Sequence, residues 1–353
     1  MEFQKNVSKQ DITQEKEVSL SPEKKQEIIK GIKDGNIDFK ACNELVRGDK
    51  DVVLIAVREQ GGDNLKYTSP KLKNDKEVVL NAVIKNGFAM EFASPELKND
   101  REFVKNCVKE NSYSLHYVSD RLKNDNEIVL EAVKRDGKAL EFSSPNLQNN
   151  KEIVLEAVKR DGYMLQNASK ELQNDKEVVL LAIKNDGDAL RFASPELQND
   201  RDIVMESIKK QPYLIHLSDE LQNNKEFVLE CVKENGGVYK YISEELKNDR
   251  EIGLLVVKKE SKLFKDFTEP LQNDREIALE AVKRDGELLK YVSPELENDK
   301  ELCLVALKKE RDDWYSNEKY FFEHYIPDEL KEKYGKTIKS FISKLEKELS
   351  KTK

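Results

Sequence analysis

A period of twenty-five residues governs this chain. The stretch "LKNDNEIVLEAVKRDGKALEFSSPN" at 122–146 is nearly restated as "LQNDREIALEAVKRDGELLKYVSPE" at 271–295. Copies begin at Leu72, Leu97, Leu122, Leu147, Leu172, Leu197, Leu221, Leu246, Leu271 and Leu296, with one step of twenty-four after Leu197. Two degenerate units precede them, from Leu20 and Val46, so about twelve units fill most of the sequence. A unit this small cannot bury its own apolar face, and each copy must be covered by its neighbours. Composition agrees, because 37% charged against 38% hydrophobic residues suits a thin, extended core better than one large one.

Each unit is legible in parts. Asn74 and its counterparts, with Glu77 three residues on, read as an N-cap with a capping-box partner. In the following "EIVLEAVKRDG", Ile128, Val129, Ala132 and Val133 form one helical stripe of a helix of about eleven residues. Glu131 is set to pair with Arg135, as Glu156 with Arg160 and Glu280 with Arg284, on a solvated face. Gly87, Gly137, Gly162, Gly187, Gly236 and Gly286 are expected to end that helix with a positive φ. A second, shorter helix follows, with Ala139, Leu140, Phe142 and partly Ser143 inward. Serines such as Ser94, Ser119 and Ser144, often before proline, cap the turn into the next unit. Leucine-rich repeats share the period but need an alternating strand before the asparagine, where this chain has Ser-Pro-Glu.

The fold expected is therefore all-α: a right-handed or similar αα-solenoid of about twelve 25-residue helix-pair repeats with terminal caps. Residues 1–20 read as a flexible tail, 21–310 as the solenoid with clean repeats from about 72, and 311–353 as an aromatic segment and capping helix. Leu330, Tyr334, Ile338, Phe341, Ile342, Leu345 and Leu349 make one stripe of a long final helix. Trp314, Tyr320, Phe321, Phe322 and Tyr325 are expected to pack over the last repeat.

The units "ELQNDKEVVLLAIKNDGDALRFASPE" and "SPELKNDREF" resemble the repeat family known as domain of unknown function four-one-one-six, over about residues 46–310. That resemblance implies a helical repeat, no assigned enzymatic activity and no catalytic residues to carry over. The shortened unit around Asn167, Pro212 and His216 departs from the pattern by losing the glycine and one aromatic anchor, and a local bend or weak joint is expected there.

Chemistry is sparse. His116, His216 and His324 stand far apart, and no H-x-x-x-H, C-x-x-C or phosphate-loop pattern occurs. No catalytic residue, metal or cofactor is expected. Cys42, Cys107, Cys231 and Cys303 read as reduced packing residues, which points to a cytoplasmic compartment, or a host cytosol if the protein is exported. No apolar run reaches the roughly 18 residues of a membrane span. A net charge of -8 disfavours nucleic acid, with Lys240, Lys265 and Lys290 the sole support for an RNA reader.

Variation within the repeat is the remaining signal. The second helix changes at two positions three apart, including Phe88, Tyr113, Lys138, Tyr163, Asp188 and Tyr213 at the first and Glu91, His116, Glu141, Gln166 and Arg191 at the second. Variable residues on a constant frame make a recognition strip. The expectation is a non-enzymatic scaffold binding a protein or peptide through Tyr113, His116, Tyr163, Gln166, Arg191 and Tyr213, the alternatives being an RNA-binding helical repeat and part of an exported effector or enzyme with an unrecognised active site.

Overall fold

Three helical pieces, not two, make most of the described repeats. In a computed structural model that describes residues 19–210, 217–312 and 318–351, the unit from Leu122 runs through a ten-residue α-helix Asn126–Arg135, a six-residue 3-10 helix Gly137–Phe142 and a four-residue helix Pro145–Gln148. No strand occurs among the described residues. The chain divides into two compact units, 1–172 and 173–353.

The long helix buries the residues its pattern foretold: Ile128, Val129, Ala132 and Val133 are fully buried, as are Val78, Val79, Ala82 and Val83 two repeats earlier. Its cap sits one residue later than expected. Asp125 accepts from the Glu127 and Ile128 backbone N–H groups, while Asn124 closes the preceding short helix. The displacement has a reason, because the asparagine is used between repeats. Asn124 Oδ1 accepts from Ser144 Oγ at 2.5 Å, Asn99 from Ser119 at 2.8 Å, and in the second unit Asn273 from Ser293 at 2.7 Å. The same serine N–H groups reach the previous repeat's main chain, as in Ser94 N to Lys73 O at 2.9 Å and Ser144 N to Lys123 O at 2.9 Å. Ser94 and Ser144 also accept from Leu97 N and Leu147 N, capping their short helices. One hydroxyl thus joins two repeats and starts a third element.

The glycines do not take positive φ at these junctions, since among the described residues only Gly35, Gly61 and Gly335 do. The helix ends instead at an extended Asp136 (φ -146, ψ 117), and glycine is required by proximity. A Cβ on Gly137 would stand 2.7 Å from the Ala157 carbonyl oxygen of the next repeat, and one on Gly286 would stand 2.5 Å from that of Ala306. Neighbouring repeats therefore approach backbone to backbone.

Runs of 3-10 helix beyond three or four residues are uncommon, so packing must hold these six-residue ones. With about three residues per turn, positions i and i+3 lie one above the other. Ser143 then falls over Leu140 and is buried, its hydroxyl satisfied by the Leu140 carbonyl at 2.8 Å, whereas Phe142 stays half-buried. Phe142 shares a face with buried Ala139 three residues before it, and its expected inward placement holds only in part.

Charges also join repeats. Lys50 pairs with Asp75 and Glu77 at 2.8 and 2.9 Å, Lys76 with Asp100 at 2.6 Å, and Arg101 with Asp125 and Glu127 at 2.7 and 2.6 Å. In the second unit Lys225, Arg250 and Arg275 repeat the motif on Asp249, Asp274 and Asp299. Each cation thus fastens the cap of the following helix. Arg135 does not turn to Glu131 as expected but donates to the Lys109 carbonyl at 2.7 Å, while the Glu156–Arg160 pair does form at 3.3 Å.

The final stripe is broken into two helices, Asp328–Tyr334 and Ile338–Leu349, at Gly335, whose φ of 130 no L side chain adopts easily. Leu330, Tyr334, Phe341, Ile342 and Leu345 are buried across the break, and Phe322 meets Phe341 edge-on at 5.4 Å. Tyr320 remains half exposed and stacks on His324 at 3.9 Å. Trp314, Pro212 and His216 lie outside the described residues.

Cys107, Cys231 and Cys303 are buried and unpaired, and burial pushes each thiol up to about 12. A thiolate is the reactive form, so native protein treated with an aromatic disulfide reagent at pH 8 should release one equivalent, from Cys42, and four after denaturation. Fast release of more than one equivalent from the native protein would contradict this packing.

Candidate functional site

The 3-10 helices form a row. In the first unit Gly62–Tyr67, Gly87–Phe92, Ser112–Tyr117, Gly137–Phe142 and Gly162–Asn167 each contact the next, because their parent helices stack one repeat apart. The three-residue turn turns the row's buried side toward Ala139 and Leu140 and aligns positions 138 and 141 outward. The variable pair three apart noted in the sequence is thus one exposed edge of a 3-10 helix.

Aromatic side chains gather along it. Phe88 lies 5.3 Å from Tyr113, 6.3 Å from His116 and 6.1 Å from Tyr117 between ring centroids. Tyr113 reaches Phe142 at 6.0 Å. His116 stands edge-on to Tyr117 at 4.5 Å and to Phe142 at 4.7 Å. Such offset and edge-on pairs are each favourable by about 0.5–1.5 kcal/mol beyond area burial, which holds the cluster in place while it faces solvent. Phe88 is 42% exposed and His116 is exposed. Ile84, on the preceding long helix, is 46% exposed where the next copies carry Lys109, Lys134 and Lys159.

Of the residues expected to bind, Tyr113 and His116 come together in this cluster. Tyr163, half-buried, and Gln166, exposed, lie further along the same row. Arg191 belongs to the second unit, where it pairs with Asp188 at 3.1 Å and lies 4.7 Å over the Phe192 ring. Asp188 is not an exposed variable site but is 8% exposed. Tyr213 lies outside the described residues. Tyr117 and Phe142 were not expected here. Their position carries an aromatic ring in most copies, and that regularity reads as core in the sequence.

Elsewhere the chemistry is quiet. Among the described residues no three His, Cys, Asp or Glu side chains are placed to hold a metal ion. A cavity of about 590 Å³ in the C-terminal helices is bordered by Phe322, Lys331, Thr337 and Ile338, and Lys331 is already paired with Asp328 at 2.7 Å. No described helix is long and apolar enough to cross a membrane.

Seven overlapping or adjacent stretches, 49–98, 100–148, 150–198, 176–222, 200–245, 224–272 and 274–331, match the family described as Domain of unknown function (DUF4116). The chain belongs to the DUF4116 family. Each matched stretch spans about two repeats, so the DUF4116 unit is a pair of the twenty-five-residue modules, and together the matches run from the first cleanly capped long helix to the C-terminal helices. No curated protein and no solved structure matches the chain. Membership in DUF4116 gives the helical-repeat architecture and assigns no reaction.

Proposed function

We propose that this DUF4116 protein is a non-enzymatic helical-repeat scaffold that binds a protein or peptide partner along its row of 3-10 helices. The observation that carries the reading is the partly exposed cluster of Phe88, Tyr113, His116, Tyr117 and Phe142 on a frame tied repeat to repeat by serine–asparagine bonds and ion pairs. Aromatic residues on a rigid frame lose little freedom on binding and contribute large contact areas, which is why they dominate binding hot spots. RNA is disfavoured further, since Lys240 pairs with Asp266 at 3.7 Å and Lys290 with Glu287 at 3.2 Å. Free, mostly buried cysteines support a cytoplasmic setting.

A photo-crosslinker placed at Tyr163 tests the reading in cell extract. Recovery of a discrete partner is expected to fall at least about tenfold in Tyr113→Ala and Phe88→Ala variants whose helical signal is unchanged. Undiminished recovery would remove the strip from the binding surface.

A further inference from the structure

Resting on that reading, we propose that the aromatic cluster receives a cationic side chain, arginine above all, from an extended basic segment of the partner. In other repeats the chain places its own cations over the same ring. Tyr67 has the Arg47 guanidinium over it at 5.6 Å, Phe92 has the Lys66 ammonium at 5.9 Å, Phe192 has Arg191 at 4.7 Å and Tyr291 has Lys290 at 5.3 Å. These four rings occupy one register position, which Tyr117 and Phe142 share. Among the described residues neither Tyr117 nor Phe142 has a cation of the chain over its face. Both lie in the cluster that holds Phe88, which is 42% exposed.

Two carboxylates border the cluster. Glu91 and Glu141 stand at the register position of His116 in the 3-10 helices on either side, and both are exposed. Neither carboxylate lies within ion-pair distance of a cation among the described residues, and Lys98 donates to the Glu91 backbone carbonyl at 2.6 Å instead. Carboxylates on the long helices are treated differently, with Glu77, Glu127, Glu251 and Glu301 all bound to the cation of the previous repeat. Aromatic faces attract a cation through the ring quadrupole, and a carboxylate alongside accepts its N–H groups. A planar guanidinium satisfies both at once, stacking on a ring while bonding at its edge, which an ammonium does less well. Arg191, held between the Phe192 ring and Asp188 at 3.1 Å, is that arrangement formed within the chain itself. The net charge of -8 adds attraction at longer range.

The test is fluorescence anisotropy of the full chain with a fluorescein-labelled peptide of repeated Arg-Gly-Ser, beside matched Lys-Gly-Ser and Glu-Gly-Ser peptides. The arginine peptide is expected to bind more tightly than the lysine one, and the glutamate one not at all. Phe88→Ala, and separately Glu91→Gln with Glu141→Gln, should weaken it by about tenfold. Glu152→Gln with Glu226→Gln, which removes two exposed carboxylates elsewhere, should change it less than about twofold. Absence of binding by the arginine peptide, or equal losses in both glutamate pairs, would overturn the proposal. A crosslinked partner whose contact segment lacks arginine and lysine would also overturn it while leaving the scaffold reading intact.

Discussion

Replacing Gly62 by valine should be among the most disruptive single changes in the first unit, lowering the stability of the repeats around it by about 3 kcal/mol. Helix propensity alone argues the other way, because Gly62 has no positive φ and a residue with a Cβ would ordinarily be preferred there. Packing decides the sign. A Cβ at this position would stand 2.2 Å from the Ala82 carbonyl oxygen and 3.2 Å from Asn86 N, so the new side chain strikes the bond that ends the neighbouring helix. Ser112 occupies the equivalent place two repeats on and is buried, so a single small side chain is accommodated there. A β-branched one against a backbone carbonyl cannot be. Gly35→Ala is the comparison: its φ of 72 costs about 1 kcal/mol, yet nothing lies within 4 Å of the new Cβ. Urea unfolding followed by circular dichroism should place Gly62→Val well below Gly35→Ala, and the reverse order would mean that the junction glycine serves conformation instead of contact.

Acid should unfold the protein by dismantling its caps. At Asp75 burial works against the ionised form, but the Lys50 ammonium and the Val78 and Glu77 N–H groups outweigh it and hold the carboxyl below the ordinary 3.8. The same balance depresses Asp125 beside Arg101, Asp249 beside Lys225, Asp274 beside Arg250 and Asp299 beside Arg275. At Asp100 the Lys76 ammonium is the leading influence, and Glu127, bound first by Lys105 and then by Arg101, is lowered to about 2. A carboxyl with a depressed folded-state value binds fewer protons than its unfolded counterpart, so its stabilisation is present above the unfolded value and lost as pH falls through the folded one. The melting midpoint should be level from pH 7 to about 5 and then drop on the order of 10 °C by pH 2.5. Asn150 and Asn224 already cap their helices without charge, accepting from Ile153 N and Phe227 N. Asp→Asn at 75, 125 and 274 should therefore preserve the helices while flattening the acid limb. A midpoint that holds steady to pH 2.5 would mean the ion pairs contribute nothing.

These two expectations fall at junctions the repeat pattern located without describing. Ile128, Val129, Ala132 and Val133 were identifiable as one apolar stripe from spacing alone, and all are buried. The cap was placed on Asn124 when Asp125 holds it, because both residues are good caps and local sequence does not say that Ser144, twenty residues away, needs the asparagine. Three of the five cluster residues were visible as variation, at positions 88, 113 and 116. The rings at 117 and 142 were hidden by being regular, since a recurring aromatic residue reads as core until its exposure is known.

Sequence by itself determined the repeat length, the long amphipathic helix and the need for stacking, since each is a consequence of local periodicity and of an apolar stripe too large to leave wet. Tertiary structure alone decided that the second element would be a 3-10 helix, that glycine would serve close approach, and which charges and hydroxyls would cross from one repeat to the next. Those outcomes depend on what lies against a residue about twenty-five positions away, and no local preference carries that distance.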